Sequence, residues 1–308
     1  MAESLSFTTV STLKTIKSGS PHQGTKKIIT VVLIHGWGLN SGVWQPLINS
    51  FLANNCDNAT NEYRLITIDL PGFGNNSNLD VRPYSLANLC QKIDQTIDEP
   101  AIYLGWSLGG LIATEMALSY PEKVLGLITV ASSPNFTEVI DDESSDNETS
   151  NNETSNNESS ENIDWPGIKA SVLAGFHQQL SSNIEKTLTN FLKIQAMGSP
   201  HIRQDLKLIT QLVMQYSMPT QNTLEHSLQL LSTSDLRHQL ALIHKPFLRL
   251  YGENDSLVPR KVMNLVKSIA PNSDQHSFSG ASHAPFISHP DDFYQVLSNW
   301  IAKHYIVE

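Results

Sequence analysis

At 308 residues and 40% hydrophobic, the chain can bury a sizeable core, and no apolar run approaches the roughly 18 residues of a membrane span. A net charge of −10, with no basic, aromatic-interleaved patch, excludes nucleic acid as an expected partner. Two cysteines without metal-ligand spacing, Cys56 and Cys90, and a polar start without an apolar signal core point to a reduced cytoplasmic protein that uses no metal or cofactor.

Residues 1–27 read as a polar extension. Short apolar runs then predict strands at Ile28–Ile34, Tyr63–Ile68, Ala101–Leu104 and Val124–Val130, each nearly continuous, as in strands buried on both faces. Helical stretches alternate with them: Val43–Leu52, Ser85–Ile97 and Leu108–Ser119, the last stopped by Tyr120–Pro121. This alternation predicts an α/β fold with a mostly parallel, doubly wound sheet, whose first half spans 28–137.

Residues 138–164 interrupt the pattern. Nine acidic side chains and no basic ones lie between 138 and 162, and without them the rest of the chain is near −1. A five-residue repeat runs through Asn147–Asn151, Asn152–Asn156 and Asn157–Glu161. Such a segment has no apolar surface to bury and reads as an inserted, solvated loop.

From Trp165 to about Leu231 the strand signal is absent. One helix is expected from an Asn183 N-cap to just before Gly198, with Ile184, Leu188, Phe191, Leu192 and Gln195 on one side. A second is expected from Ile202 to Met214. Residues 165–231 therefore read as a helical lid. The second core half, 232–308, brings strands at Pro246–Tyr251 and Gln275–Phe278 and a final helix from Asp291 to Ala302.

The chemistry concentrates in Gly105-Trp106-Ser107-Leu108-Gly109-Gly110, which follows a strand and opens a helix, the context of a nucleophile elbow. A serine hydroxyl is a poor nucleophile at neutral pH and needs a base, which needs an orienting acid. In this kind of fold the acid and then the histidine follow the serine. Asp255, in the loop after Gly252, is the candidate acid and Glu253 its rival. His283, in the loop Gly280–Pro285, is the candidate base; His276, within a strand, and His289, beyond the loop, rank lower. Two backbone donors are expected to hold an oxyanion. One is the N–H of Leu108, and the other comes from Trp37 in the Leu33–Gly38 loop, whose ring also walls a pocket. The loop Asp69–Gly74 reads as structural.

The lid carries five basic residues, Lys169, Lys186, Lys193, Arg203 and Lys207, against two acids, Glu185 and Asp205. Arg203 and Lys207 share a helix face, and such a cluster would steer an acidic partner.

Several segments carry a resemblance: Leu33–Asn40, Asp69–Gly74, Leu104–Gly110, Val130–Pro134, Phe247–Gly252 and Leu257–Lys261, and above all Trp165-Pro-Gly-Ile-Lys169 and His283-Ala-Pro-Phe-Ile-Ser-His-Pro290. Through them the chain from about Ile28 onward resembles the α/β-hydrolase superfamily and, within it, is similar to the pimeloyl-[acyl-carrier-protein] methyl ester esterases of biotin synthesis. The resemblance implies a triad of Ser107, Asp255 and His283. It implies substrate contacts at Trp37, Leu108, His283 and the stretch Phe191, Leu192, Lys193, Ile194 and Gln195. It also implies an acyl carrier protein gripped by basic lid residues, here Lys186, Arg203 and Lys207. Asn190 departs from that pattern where a basic residue is expected, which would shift docking towards Lys193. The nine charges of the insertion would repel an acidic carrier unless the loop points away. A monomer acting away from membranes is expected. The residues alone leave open a general short-chain carboxylesterase or thioesterase, and a non-catalytic binding protein on the same fold.

Overall fold

The computed structural model describes residues 4–12, 27–54, 61–140 and 164–306. Cys56 and the repeats at 147–161 lie outside these residues. Seven strands form one sheet: β1 (Phe7–Ser11), β2 (Lys27–Ile34), β3 (Asn61–Ile68), β4 (Ala101–Trp106), β5 (Val124–Val130), β6 (Phe247–Gly252) and β7 (Asp274–Phe278), in the order β1-β3-β2-β4-β5-β6-β7. All neighbours pair in parallel except β1, which runs antiparallel to β3 with Phe7 opposite Ile68 and Ser11 opposite Arg64.

Ten helices complete the described chain: α1 (Gln45–Asn54), α2 (Leu86–Asp94), α3 (Leu108–Ser119), α4 (Ala170–Ser182), α5 (Ile184–Ala196), α6 (Ile202–Val213), α7 (Gln221–Thr233), α8 (Arg260–Ile269), α9 (Pro285–Ser288) and α10 (Pro290–Tyr305). The strands explain their own apolar runs. Val32 and Ile34 of β2 face a core shared with α2, α3 and α8, while Val31 and Leu33 face one shared with α1 and α10. Alternate residues therefore bury against opposite helical layers, and no position is left for a polar side. None of the described helices is long and apolar enough to cross a membrane.

Strand β1 and helix α8 are among the elements for which the sequence reading set no bounds, as are α4, α7 and α9. Residues 4–12, within the expected polar extension, join the core: β1 closes the sheet edge beside β3 and Leu5 is buried. An edge strand bonds on one side only and tolerates a polar sequence such as Phe-Thr-Thr-Val-Ser, so it carries no apolar signal. Helix α8, for which no expectation stood, buries only Val262 and Val266.

Helices α4–α7 enter between β5 and β6 and sit over the carboxyl ends of the strands. Asn183 caps α5, its side chain accepting from the Lys186 N–H at 2.8 Å. The stem of this insertion is stapled. Val139 and Trp165 exchange both backbone hydrogen bonds at 2.9 Å, the Trp165 indole donates to the Asn135 carbonyl at 2.8 Å, and Arg237 lies over its ring. The ends of the acidic segment emerge here, beside Lys261, Asn264 and Leu265 on α8.

Candidate active site

Every loop that bears a candidate residue leaves the carboxyl end of a strand, where open α/β sheets bind their ligands. Ser107 joins β4 to α3 with φ 55° and ψ −118°. A side-chain-bearing residue in that region stores on the order of 1–3 kcal/mol of strain. The flanking burial exceeds it: Leu111, Ile112 and Met116 of α3 are fully buried, at roughly 1.5–3 kcal/mol each. The turn is held through its backbone. The Ser107 N–H donates to the Val130 carbonyl at 2.9 Å, and its carbonyl accepts from the Gly110 N–H at 2.8 Å and the Ser132 hydroxyl at 2.9 Å.

The tightness of the turn dictates its glycines. A Cβ on Gly105 would run into the Gly109 carbonyl, and one on Gly109 into the carbonyl of Ile34. Both obstacles are backbone and cannot swing aside. Gly105→Ala is therefore expected to cost about 3 kcal/mol or more, read as a lowered urea midpoint at unchanged slope.

Asp255 and His283 are both buried and meet through Oδ2 and Nδ1 at 2.8 Å. The other Asp255 oxygen accepts from the N–H groups of Leu257 at 2.9 Å and Val258 at 3.1 Å. These donors satisfy that oxygen in its buried position. Glu253 is turned elsewhere: the Ser279 hydroxyl, then the Gly280 N–H and the nearby Arg260, hold its carboxyl below the usual range. His276 is exposed in β7, and His289 bonds to the Ser288 hydroxyl.

The base loop is anchored to the elbow. The indole of Trp106, the residue before Ser107, donates to the His283 carbonyl at 2.7 Å. His283 Nε2 is buried and has no hydrogen-bond partner among the described residues. Helix α5 holds the loop from above: the Gln195 carbonyl accepts from the His283 N–H at 3.2 Å and from the Ser282 hydroxyl at 2.7 Å.

Leu108 is the first residue of α3, so its N–H lacks an intrahelical acceptor. Trp37 follows β2, and among the described residues neither its N–H nor that of Leu108 is hydrogen bonded. The Trp37 indole donates to the Leu224 carbonyl at 3.0 Å, and its ring stands edge-on to Phe191 at 4.7 Å. His35 fixes this loop. Its Nδ1 donates to the Gly36 carbonyl at 2.8 Å and its Nε2 accepts from the Leu70 N–H at 3.0 Å. Burial lowers its pKa, against the pull of Asp69, and keeps it neutral.

Of the α5 stretch, Phe191, Leu192 and Gln195 are buried, Ile194 is half-buried, and Lys193 faces solvent. Helical periodicity accounts for the split, since Lys193 sits about 100° round from Leu192. A narrow cleft with a cavity volume of about 40 Å³ adjoins the site between Gly38–Asn40, Leu188, Leu192 and the α6–α7 link at Met214–Pro219. Neither Ser107 nor His283 lines it. Lys186, Arg203 and Lys207 are exposed, and no ion pair engages them or Lys193 among the described residues. Asn190 is half-buried beside them, while Asp205 is buried and accepts from the Ser199 hydroxyl. Ser132, Ser282 and Trp106 carried no assigned role in the sequence reading. Their partners lie tens to hundreds of residues away, and only the sheet order unites them.

The family model of the alpha/beta hydrolase fold matches residues 29–290. The chain is 43% identical over 274 residues to the pimeloyl-[acyl-carrier protein] methyl ester esterase of Yersinia pseudotuberculosis serotype O:1b, covering 89% of this chain and 93% of that one. It is 42% identical over 267 residues to the esterase of the same name from Yersinia enterocolitica, covering 87% and 91%. Among solved structures, an esterase from Exiguobacterium antarcticum superposes with a TM-score of 0.72 at 19% identity, over 96% of this chain and 95% of that one. A bromoperoxidase from Bacillus anthracis gives 0.71 at 17%, with the same coverage. These two likenesses speak to the fold alone. The chain belongs to the α/β-hydrolase fold family and, within it, to the pimeloyl-[acyl-carrier protein] methyl ester esterases.

Proposed function

We propose that this protein is a serine carboxylesterase that hydrolyses the methyl ester of a pimeloyl chain borne on acyl carrier protein. Methanol and the free ω-carboxylate are the products, and the enzyme acts as a cytoplasmic monomer without a cofactor. The observation that carries the reading is the buried Asp255–His283 pair, whose Nε2 is left free in a loop tied to the residue before Ser107. In the first half-reaction His283 Nε2 takes the Ser107 proton while Oγ attacks the ester carbonyl. The N–H groups of Trp37 and Leu108 hold the oxyanion, and methanol leaves with the proton from His283. Water then discharges the acyl-enzyme.

The names of the 43% and 42% identical relatives support the substrate. The apolar surround of Trp37, Phe191 and Leu192 suits an aliphatic chain. The exposed cations Lys186, Lys193, Arg203 and Lys207 suit an acidic carrier, the more so because Asp205 is turned inward. On this reading 28–137 and 232–308 are the two core halves, 165–231 is the lid, and 138–164 is the acidic low-complexity loop of the sequence. Residues 1–27 precede the core and lend it one edge strand.

The test is methanol release from carrier-borne pimeloyl methyl ester, compared with longer acyl esters and thioesters, together with rescue of a biotin auxotroph. Preference for the pimeloyl ester, and rescue by the wild type but not by Ser107→Ala, is expected. Rescue by both proteins, or by neither, overturns the reading. Reversing two charges, Arg203→Glu with Lys207→Glu, is expected to raise KM for the carrier-borne ester about tenfold at low salt. The difference should shrink as salt screens the exposed charges. An unchanged KM removes the docking face.

A further inference from the structure

Five buried side-chain polar atoms lack a hydrogen-bond partner among the described residues, and three of them belong to two residues whose backbones are in contact. They are Nε2 of His283 and both amide atoms of Gln195, a residue with 0% exposure. The backbones of the two residues are hydrogen bonded to one another at 3.2 Å. One turn back along α5 from Gln195 is Phe191, whose ring meets Trp37 on the oxyanion loop. A primary amide buried without protein partners is unfavourable, and a molecule that enters the site can answer it.

The chemistry of the visitors narrows the choice. An aliphatic acyl chain offers neither donor nor acceptor. Both oxygens of a methyl ester are acceptors, one of them taken by the Trp37 and Leu108 N–H groups, and neither can satisfy Gln195 Oε1. Oε1 requires a donor, and each of the two small molecules that leave or attack the acyl carbon, the methanol and then the water, brings an O–H. Water alone has two O–H groups, one for His283 Nε2 and one for Gln195 Oε1.

We propose that Gln195 holds the hydrolytic water of the second half-reaction and so selects water over alcohol as the acceptor of the acyl group. The inference rests on the serine-esterase reading above. In this step the water oxygen bonds to the acyl carbon and its proton passes to His283 Nε2. The carbonyl electron pair moves to the oxyanion. On collapse the bond to Ser107 Oγ breaks, and Oγ recovers the proton from Nε2. Gln195 is neither acid nor base; it accepts the second O–H and turns a lone pair of the water toward the carbonyl. Methanol has a single O–H, which His283 takes, and gains nothing from the amide.

The test is a partition experiment. A p-nitrophenyl ester of monomethyl pimelate or of butyrate acylates the enzyme in water containing graded methanol, and the acid and methyl ester products are separated. Both products arise from one intermediate, so their ratio is independent of how much enzyme is folded or active. The near-isosteric Gln195→Met is expected to lower the acid-to-ester ratio at least tenfold, with kcat falling more than kcat/KM, which reports acylation. Gln195→Glu keeps an acceptor and is expected to stay near the wild-type ratio. An unchanged ratio in Gln195→Met overturns the proposal, and so does a Gln195→Met enzyme that no longer acylates at all, since the assigned role begins only after methanol has left. Failure of the wild type to form any methyl ester at any methanol concentration would instead refute the acyl-enzyme reading on which this one stands.

Discussion

Ser107→Ala is expected to lower ester hydrolysis by roughly 10⁴- to 10⁶-fold, the loss seen when a triad nucleophile is deleted. The fold is expected to survive. The bonds that hold the turn run through the Ser107 backbone, to Val130, Gly110 and Ser132, and an alanine keeps all of them. Alanine also carries the same Cβ into the φ 55° conformation, so the strain of the elbow is unchanged. The measurement is steady-state turnover beside a thermal melt. Loss of activity with an unmoved Tm supports the assignment. Activity within a hundredfold of wild type removes Ser107 from the chemistry.

Asp255→Asn is expected to cost about 10⁴-fold in kcat with little change in KM, for a reason specific to this loop. Oδ1 of Asp255 accepts from two backbone N–H groups, Leu257 and Val258, so an asparagine must keep its carbonyl oxygen there. Its amide then points a donor at His283 Nδ1, where the native oxygen accepted. The imidazole must present a lone pair at Nδ1 and carry its proton on Nε2, the atom that has to receive the serine proton. The base is in the wrong tautomer although every heavy atom is in place. Glu253→Gln is the matched control. That carboxyl serves Ser279, Gly280 and Arg260, and its neutralisation is expected to change kcat less than threefold. If the Glu253 variant loses the larger factor, the acid has been misassigned.

The part of the fold governed by burial on both sheet faces was readable from the chain. The bounds expected for β5 and α3 agree with those observed, because apolar density rises and falls sharply at their ends. Strand β1 was not readable, since a polar edge strand is decided by the partner it finds. In the site, composition of the loop after β6 offered two carboxylates two residues apart. The N–H groups of Leu257 and Val258 hold Asp255 while the Ser279 hydroxyl holds Glu253, and none of these partners leaves a mark on the sequence. The outward position of Lys193 was legible in principle, because the buried set Leu188, Phe191, Leu192 and Gln195 already defines the helix face that excludes it. The unanswered amide of Gln195 was not, since an unpartnered atom is a property of its surroundings.

The reciprocal bonds between Val139 and Trp165 have a corollary for the length of the chain between them. Whatever chain departs at one of these residues returns at the other, so its two ends stay a fixed short distance apart whatever lies between. Closing such a loop costs only about 0.6 kcal/mol more for each doubling of its length. Adding or removing repeat units between them is therefore expected to change stability little and to leave the catalytic frame where it is.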